Sequence, residues 1–234
     1  MKLFFERISV KNLLFLVVVG CLLTGIPGRA LAGVKSRTLT INTESGATIF
    51  VDGKLIGPTT AEIKVPAYST ANVRIEKAGF VTEERNYIND GNHEIPRSDY
   101  IKLEVDEAYE NSFTTDIANH DIDIRTNLKE DDAWKLVSRV ITTTFDVIEV
   151  TDKATGYMRT SWVTKSFKNA TIRTRLIIKT GSSDPLVYKA KLVSEIGKAG
   201  ATAGQDENFK PWDRVLRTFE NVIPDLQSRL GKQQ

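Results

Sequence analysis

The sequence predicts two consecutive β-rich domains: an all-β sandwich, then an α+β two-layer sandwich whose antiparallel sheet carries two helices on one face. Three observations predict it. Residues 39–77 hold five short β-rich runs separated by turn residues, the pattern of a small all-β unit. Residues 158–196 hold three longer alternating runs with polar hinges. Stretches around 133–145 and 209–230 repeat apolar residues at spacings of three and four, as helices lying on a sheet require.

In the first unit Leu39, Ile41 and Thr43 alternate with polar neighbours, and Ser45-Gly46 ends that strand. Ala47–Val51 is the next run. Asp52-Gly53 follows, a two-residue hairpin signal because both central positions need positive φ. Lys54–Ile56 returns and stops at the breaker pair Gly57-Pro58. Ala61–Val65 ends at Pro66, Ala71–Lys77 is the fifth run, and Ala78-Gly79-Phe80 turns again.

Ser45-Gly46-Ala47, Val51-Asp52-Gly53, Ile56-Gly57, Pro58-Thr59-Thr60 and Lys77-Ala78-Gly79-Phe80 stand in the order and at the spacing of the PEGA domain, and residues 37–106 resemble that family. The chain departs from the family at Thr43-Glu44-Ser45-Gly46-Ala47, which lacks the proline, and in the order Pro-Thr-Thr. The resemblance implies a small β-sandwich of the kind attached to bacterial cell-surface and envelope proteins, a binding or spacing module with no catalytic residue to carry over.

The N-terminus reads as a secretory signal peptide over residues 1–32. Lys2, Arg7 and Lys11 precede an apolar run from Leu13 to Leu23, then Pro27-Gly28, with small residues Ala30 and Ala32 placed for cleavage after Ala32. In the competing reading Val18-Val19-Gly20-Cys21 resembles a bacterial lipobox, which makes Cys21 a lipidated N-terminus and the protein an outer-membrane lipoprotein. Cleavage after Ala32 removes the sole cysteine, and with it any disulfide or thiol chemistry. Of 32 basic and 30 acidic residues the first 32 positions hold four and one, leaving 28 and 29. That balance gives no electrostatic footprint for nucleic acid.

Between Asp90 and Arg125 there are ten acids and three bases, and Glu107–Asn119 lacks periodicity. Residues 107–119 therefore read as an acidic linker, either a solvated strip or a docking strip for something basic. The second domain spans 120–231. Asp121–Arg125 alternates as a strand, and Asp131 or Asp132 caps a helix with Ala133, Trp134, Val137, Val140, Ile141 and Phe145 inward. Val147–Val150 is a short strand, followed by strands Met158–Phe167, Thr171–Lys179 and Val187–Ile196. A long helix then presents Phe209, Trp212, Leu216, Phe219, Ile223, Leu226 and Leu230, bent or split by Pro224. Thr155–Thr160, Trp162-Val163, Asp184-Pro185-Leu186 and Tyr188-Lys189 give this half a resemblance to uncharacterised envelope proteins of the Bacteroides group. More loosely, it is similar to the sheet-and-helix modules of outer-membrane assembly lipoproteins.

His93 and His120 are the two histidines. His120 lies near Asp116, Asp121 and Asp123, a set suited at most to a shallow oxygen-rich site. No catalytic residue, metal site or cofactor is predicted, since neither a phosphate-cradling glycine loop nor a metal-spaced histidine motif occurs. The positive feature is charge. From Lys153 to Lys191 there are nine bases and one acid, Asp184. Side chains two apart share a strand face, which places Arg173, Arg175 and Lys179 opposite Ile172, Leu176 and Ile178, and Lys189 and Lys191 opposite Tyr188, Ala190 and Leu192. With Arg159 and Lys165 these residues form a candidate basic face for an anionic partner: an envelope polymer, a lipid or an acidic protein surface. The plainer reading is a solvated sheet face covered by long basic stems.

The function predicted is an exported, non-enzymatic binding or scaffolding module of the periplasm or cell envelope, with membrane association only if lipidated. The alternatives are a hydrolase of envelope polymers anchored by its PEGA-like part, and a self-associating protein whose acidic linker meets the basic sheet of another copy.

Overall fold

The computed structural model describes residues 33–231. The predicted signal peptide, its cleavage after Ala32 and the alternative lipidation of Cys21 lie outside them. Among the described residues no helix is long and apolar enough to cross a membrane.

The chain is β-rich, with several sheets. Strands β1 (Arg37–Thr43), β2 (Thr48–Val51), β3 (Lys54–Pro58), β4 (Thr60–Val65) and β5 (Ser69–Glu76) occupy the five runs read from the sequence, and β6 (Glu83–Asn89) and β7 (Ser98–Ile101) are added to them. They form two sheets, ordered β4-β1-β7 and β3-β2-β5-β6. Alternation decides what meets between them: Leu39, Ile41, Ile63, Val65 and Ile101 face Ile49, Ala71, Val73 and Ile75 in one buried cluster. Strand β6 escaped the sequence reading because it spells EERNYIN and buries only Tyr87 and Asn89. Asn89 compensates for its burial by directing Nδ2 at the carbonyl oxygens of Lys35, Val65 and Pro66, each at 3.0 Å.

The Asp52-Gly53 hairpin has the predicted turn, with φ of 50° and 78°. Gly57-Pro58 does not stop β3. The strand continues through Pro58 and turns at Thr59, whose φ is 58°. Proline is tolerated there because β3 is an edge strand, where a missing N–H breaks no ladder bond.

The second group comprises α1 (Glu107–Glu110), β8 (Ser112–Thr114), β9 (Asp121–Arg125), α2 (Glu130–Thr144), β10 (Ile148–Asp152), β11 (Tyr157–Thr160), β12 (Val163–Ser166), β13 (Ala170–Ser183), β14 (Leu186–Lys198), β15 (Phe209–Pro211), β16 (Arg214–Leu216) and α3 (Val222–Gly231). The sheet runs β10-β11-β13-β14-β15, with β9 also on β14 and β12 also on β13. Ile172, Leu176, Ile178, Tyr188, Ala190 and Leu192 from the sheet share one buried cluster with Trp134, Val137, Ile141, Ile223, Leu226 and Leu230 from the helices. The buried residues thus fall into two clusters, one within residues 39–103 and the other within 108–230. A cleft of about 720 Å³, lined by Glu83, Arg85, Lys102, Glu104, Glu107 and Lys168 among others, lies where residues of the two groups approach each other.

Three further expectations are corrected. Residues 107–119 are not an unpacked linker: Ala108, Ser112 and Ala118 are buried, and β8 pairs with β16. Asp106 caps α1 by accepting from the N–H groups of Ala108 and Tyr109. Arg214 then fastens the segment. Its Nε donates to Ser112 Oγ at 2.8 Å, its Nη1 to Thr114 Oγ1 at 2.6 Å and its Nη2 to the Tyr109 and Ser112 carbonyls at 3.2 Å. Local sequence shows no periodicity because the partner lies about a hundred residues away.

The predicted helix over 209–230 keeps only its end. Phe209–Pro211 and Arg214–Leu216 are strands, a 3₁₀ turn covers Arg217–Phe219, and α3 begins at Val222. Pro224 sits in the first turn of α3, where its missing N–H would have had no helical partner. Finally, the run Met158–Phe167 is two strands, broken at Ser161-Trp162. The Trp162 ring turns out of the ladder onto two arginines.

Candidate functional site

The open face of the large sheet is the candidate site, and its charges pair in a way the sequence concealed. Strand β9 lies along β14 with Lys189 opposite Asp123 and Lys191 opposite Asp121. Lys189 Nζ is 3.1 Å from Asp123 Oδ1, and Lys191 Nζ is 3.3 Å from Asp121 Oδ1. Two of the three aspartates near His120 in the sequence, Asp121 and Asp123, therefore serve the sheet. No cluster of metal-ligating side chains occurs among the described residues.

Arg159 is on the same face as Ile177, its partner across β11 and β13, and its Nε is 3.2 Å from Glu149 Oε2. Lys165 does not belong to the face. It is the Cα partner of Ile172, and directly opposed residues in an antiparallel pair point to the same side. Its Nζ lies instead 3.4 Å from Asn111 Oδ1 and 5.1 Å from the Phe167 ring centre.

Arg173, predicted as an exposed member, is only 2% exposed. Its Nε donates to Glu195 Oε2 at 2.7 Å, and Glu195 is its Cα partner on β14. Its Nη1 donates to the Ala203 carbonyl at 2.5 Å and to Asp206 Oδ1 at 2.7 Å, both on the turn between β14 and β15. The guanidinium carbon also lies 4.1 Å from the ring centres of both Trp162 and Phe209. A buried arginine is stable only when its donors and charge are matched, and here they are. The sequence reading failed at Arg173 because its carboxylate partners lie 22 and 33 positions downstream.

Arg175 is different. It shares the face and the tryptophan, with its guanidinium carbon 4.0 Å from the Trp162 ring centre. Yet it makes no hydrogen bond or ion pair among the described residues, and its Nε is buried without a partner. Burial, followed by the charge of Arg159, pushes its pKa below the ordinary arginine value. Its Cα partner is Val193, and Val193 and Ile177 are half-buried beside it. Lys179 is exposed, lies opposite Lys189 and is likewise without an ion pair among the described residues. The face thus contains two matched arginines, Arg159 and Arg173, one unmatched arginine, a tryptophan shared by Arg173 and Arg175, and lysines of which only Lys179 lacks a carboxylate.

Sequence reasoning missed Trp162 and Asp206 as members of this face. The only signal for Trp162 was an aromatic at a point where a ten-residue strand would have been long, and Asp206 gave none. No family model matches the chain, and no curated protein matches it.

Proposed function

We propose that this chain is an exported, non-enzymatic envelope protein working as a binding or scaffolding module at the periplasmic or outer-membrane face. It combines a PEGA-like sandwich over residues 37–106 with an α+β two-layer domain from about 107 to 231, and the open sheet face of the second meets an anionic partner. The division into two domains is supported by the separate buried clusters. Export is supported by the basic start, the apolar run and the small residues Ala30 and Ala32.

The observation that carries the binding reading is Arg175, a half-buried guanidinium held against Trp162 with no acceptor. A desolvated charge without a partner is costly for the fold alone, and an incoming anion removes that cost. With Lys189 and Lys191 matched by β9, the working cations are Arg175 and Lys179, not the whole basic set.

The test is binding to short-chain polyphosphate, polygalacturonate and phosphatidylglycerol vesicles across a salt series. At least one should bind with an affinity that falls as salt rises, and Arg175→Gln with Lys179→Gln should weaken it at least tenfold. Salt-insensitive or absent binding to all three, and to an acidic peptide as well, would make this face a solvated surface.

A further inference from the structure

Arg173 and Arg175 are two residues apart on β13, so they project from the same face about 7 Å apart along the strand. Both guanidinium carbons lie near one ring, at 4.1 and 4.0 Å from the centre of Trp162. At Arg173 the arrangement is complete. A loop of polypeptide approaches it and supplies two acceptors, the Asp206 carboxylate and the Ala203 carbonyl three residues earlier. Asp206 is 85% exposed, so a carboxylate reaches this cation from the solvent side. At Arg175 the cation and the ring are repeated and the acceptor is missing.

We propose that Arg175 is a docking subsite for an acidic peptide segment of a partner protein, which places one Asp or Glu carboxylate on the guanidinium as Asp206 does on Arg173. This rests on the reading that the face binds an anion and adds the chemistry of that anion. The neighbours favour an isolated carboxylate over a densely charged polymer or a phosphate cluster. Arg159 is already engaged by Glu149, and Lys189 and Lys191 by Asp123 and Asp121. A polyanion running along the sheet would meet those acids, whereas one carboxylate meets Arg175 alone. Val193, Ile177 and Trp162, each half-buried, surround the cation with apolar surface. That suits the methylene stem of an Asp or Glu side chain, and the planar fork of the guanidinium suits its carboxylate.

The test uses the eight-residue peptide with the sequence of residues 201–208, Ala-Thr-Ala-Gly-Gln-Asp-Glu-Asn, and its counterpart with Asn and Gln in place of the acids. NMR titration of the protein follows the Trp162 indole N–H and the Arg175 Nε–H. The acidic peptide should shift both resonances saturably, the amidated one should bind at least tenfold more weakly, and Arg175→Gln should lose the response by the same factor. Arg175→Lys, which keeps the charge and loses the fork, covers the case in which the Gln variant does not fold; it should weaken binding several-fold. Tetragalacturonate and polyphosphate are titrated in parallel. If they bind through Arg175 and the acidic peptide does not, the peptide assignment is overturned while the anion-binding face stands. If no anion moves either resonance, both readings fail. A peptide response unchanged in Arg175→Gln overturns the subsite.

Discussion

Lys191 Nζ lies 3.3 Å from Asp121 Oδ1, and the two residues are register partners across β14 and β9. The acid-rich stretch and the basic sheet, read from the sequence as surfaces awaiting partners, meet within one chain at this pair and at Lys189–Asp123. Cross-strand pairs of opposite charge stabilise a sheet, and like charges in the same places destabilise it. Replacing Lys189 and Lys191 together with Glu should therefore cost about 1–2 kcal/mol. Adding Asp121→Lys and Asp123→Lys should restore most of it. Urea unfolding of the two variants checks this, and equal destabilisation in both would show that the pairs contribute nothing.

Arg173→Gln should destabilise by about 2–3 kcal/mol, because it strands Glu195 beside a buried site and releases the turn carrying Ala203 and Asp206. The cost stays below that of a fully buried pair because Asp206 is 85% exposed and regains water. Arg173→Lys should recover only part of it, since an ammonium can neither stack on Trp162 and Phe209 nor reach three acceptors at once. Thermal melts read out both variants.

Arg214→Ala should loosen residues 107–119. It removes four donated hydrogen bonds and the contact with the Tyr109 ring, 3.7 Å from the guanidinium carbon. Limited proteolysis should find no early cut between Glu107 and Asn119 in the parent protein and a prompt one in the variant. An early cut in the parent would mean that the clasp is too weak to order the segment.

Gly156→Ala should cost about 2–4 kcal/mol. Gly156 has φ +66°, and a Cβ there would come within 2.1 Å of Thr180 Oγ1 and 2.5 Å of Thr180 Cβ, so β13 would have to shift. Thr180→Ala together with Gly156→Ala should recover part of the loss, which a chemical denaturation series can measure.

Tyr188 is fully buried, and its hydroxyl has no hydrogen-bond partner. Burial, with the charge of Glu130 second, pushes its pKa from 10.0 up to about 12. A raised pKa means that the folded state holds the proton more tightly. The associated stability is complete below pH 10 and is lost as the pH rises towards 12. Unfolding should accordingly begin in that window, and Tyr188→Phe should remove this contribution. The same change should also stabilise the protein by about 1 kcal/mol at neutral pH, because it deletes an unpaired buried hydroxyl. Stability curves against pH for the two proteins test both statements.

What local chemistry specifies is legible in the order of the residues. Alternation at Leu39, Ile41, Ile172 and Ala190 marked the buried strand faces. Positive-φ chemistry at Asp52-Gly53 marked a hairpin, and the three-and-four spacing from Ala133 to Ile141 marked α2. Each depends on neighbours within one turn or one pleat. Tertiary structure decided the rest, because the deciding partners are remote. Arg214 orders the segment at 107–119 from a hundred residues away, β9 neutralises the lysines of β14, and Glu195 with Asp206 takes Arg173 out of solvent while Arg175, two residues on, keeps none. Charge counted along a chain gives no measure of charge left exposed on a face, since Coulomb attraction follows distance in space. Only the pairing of strands set those distances.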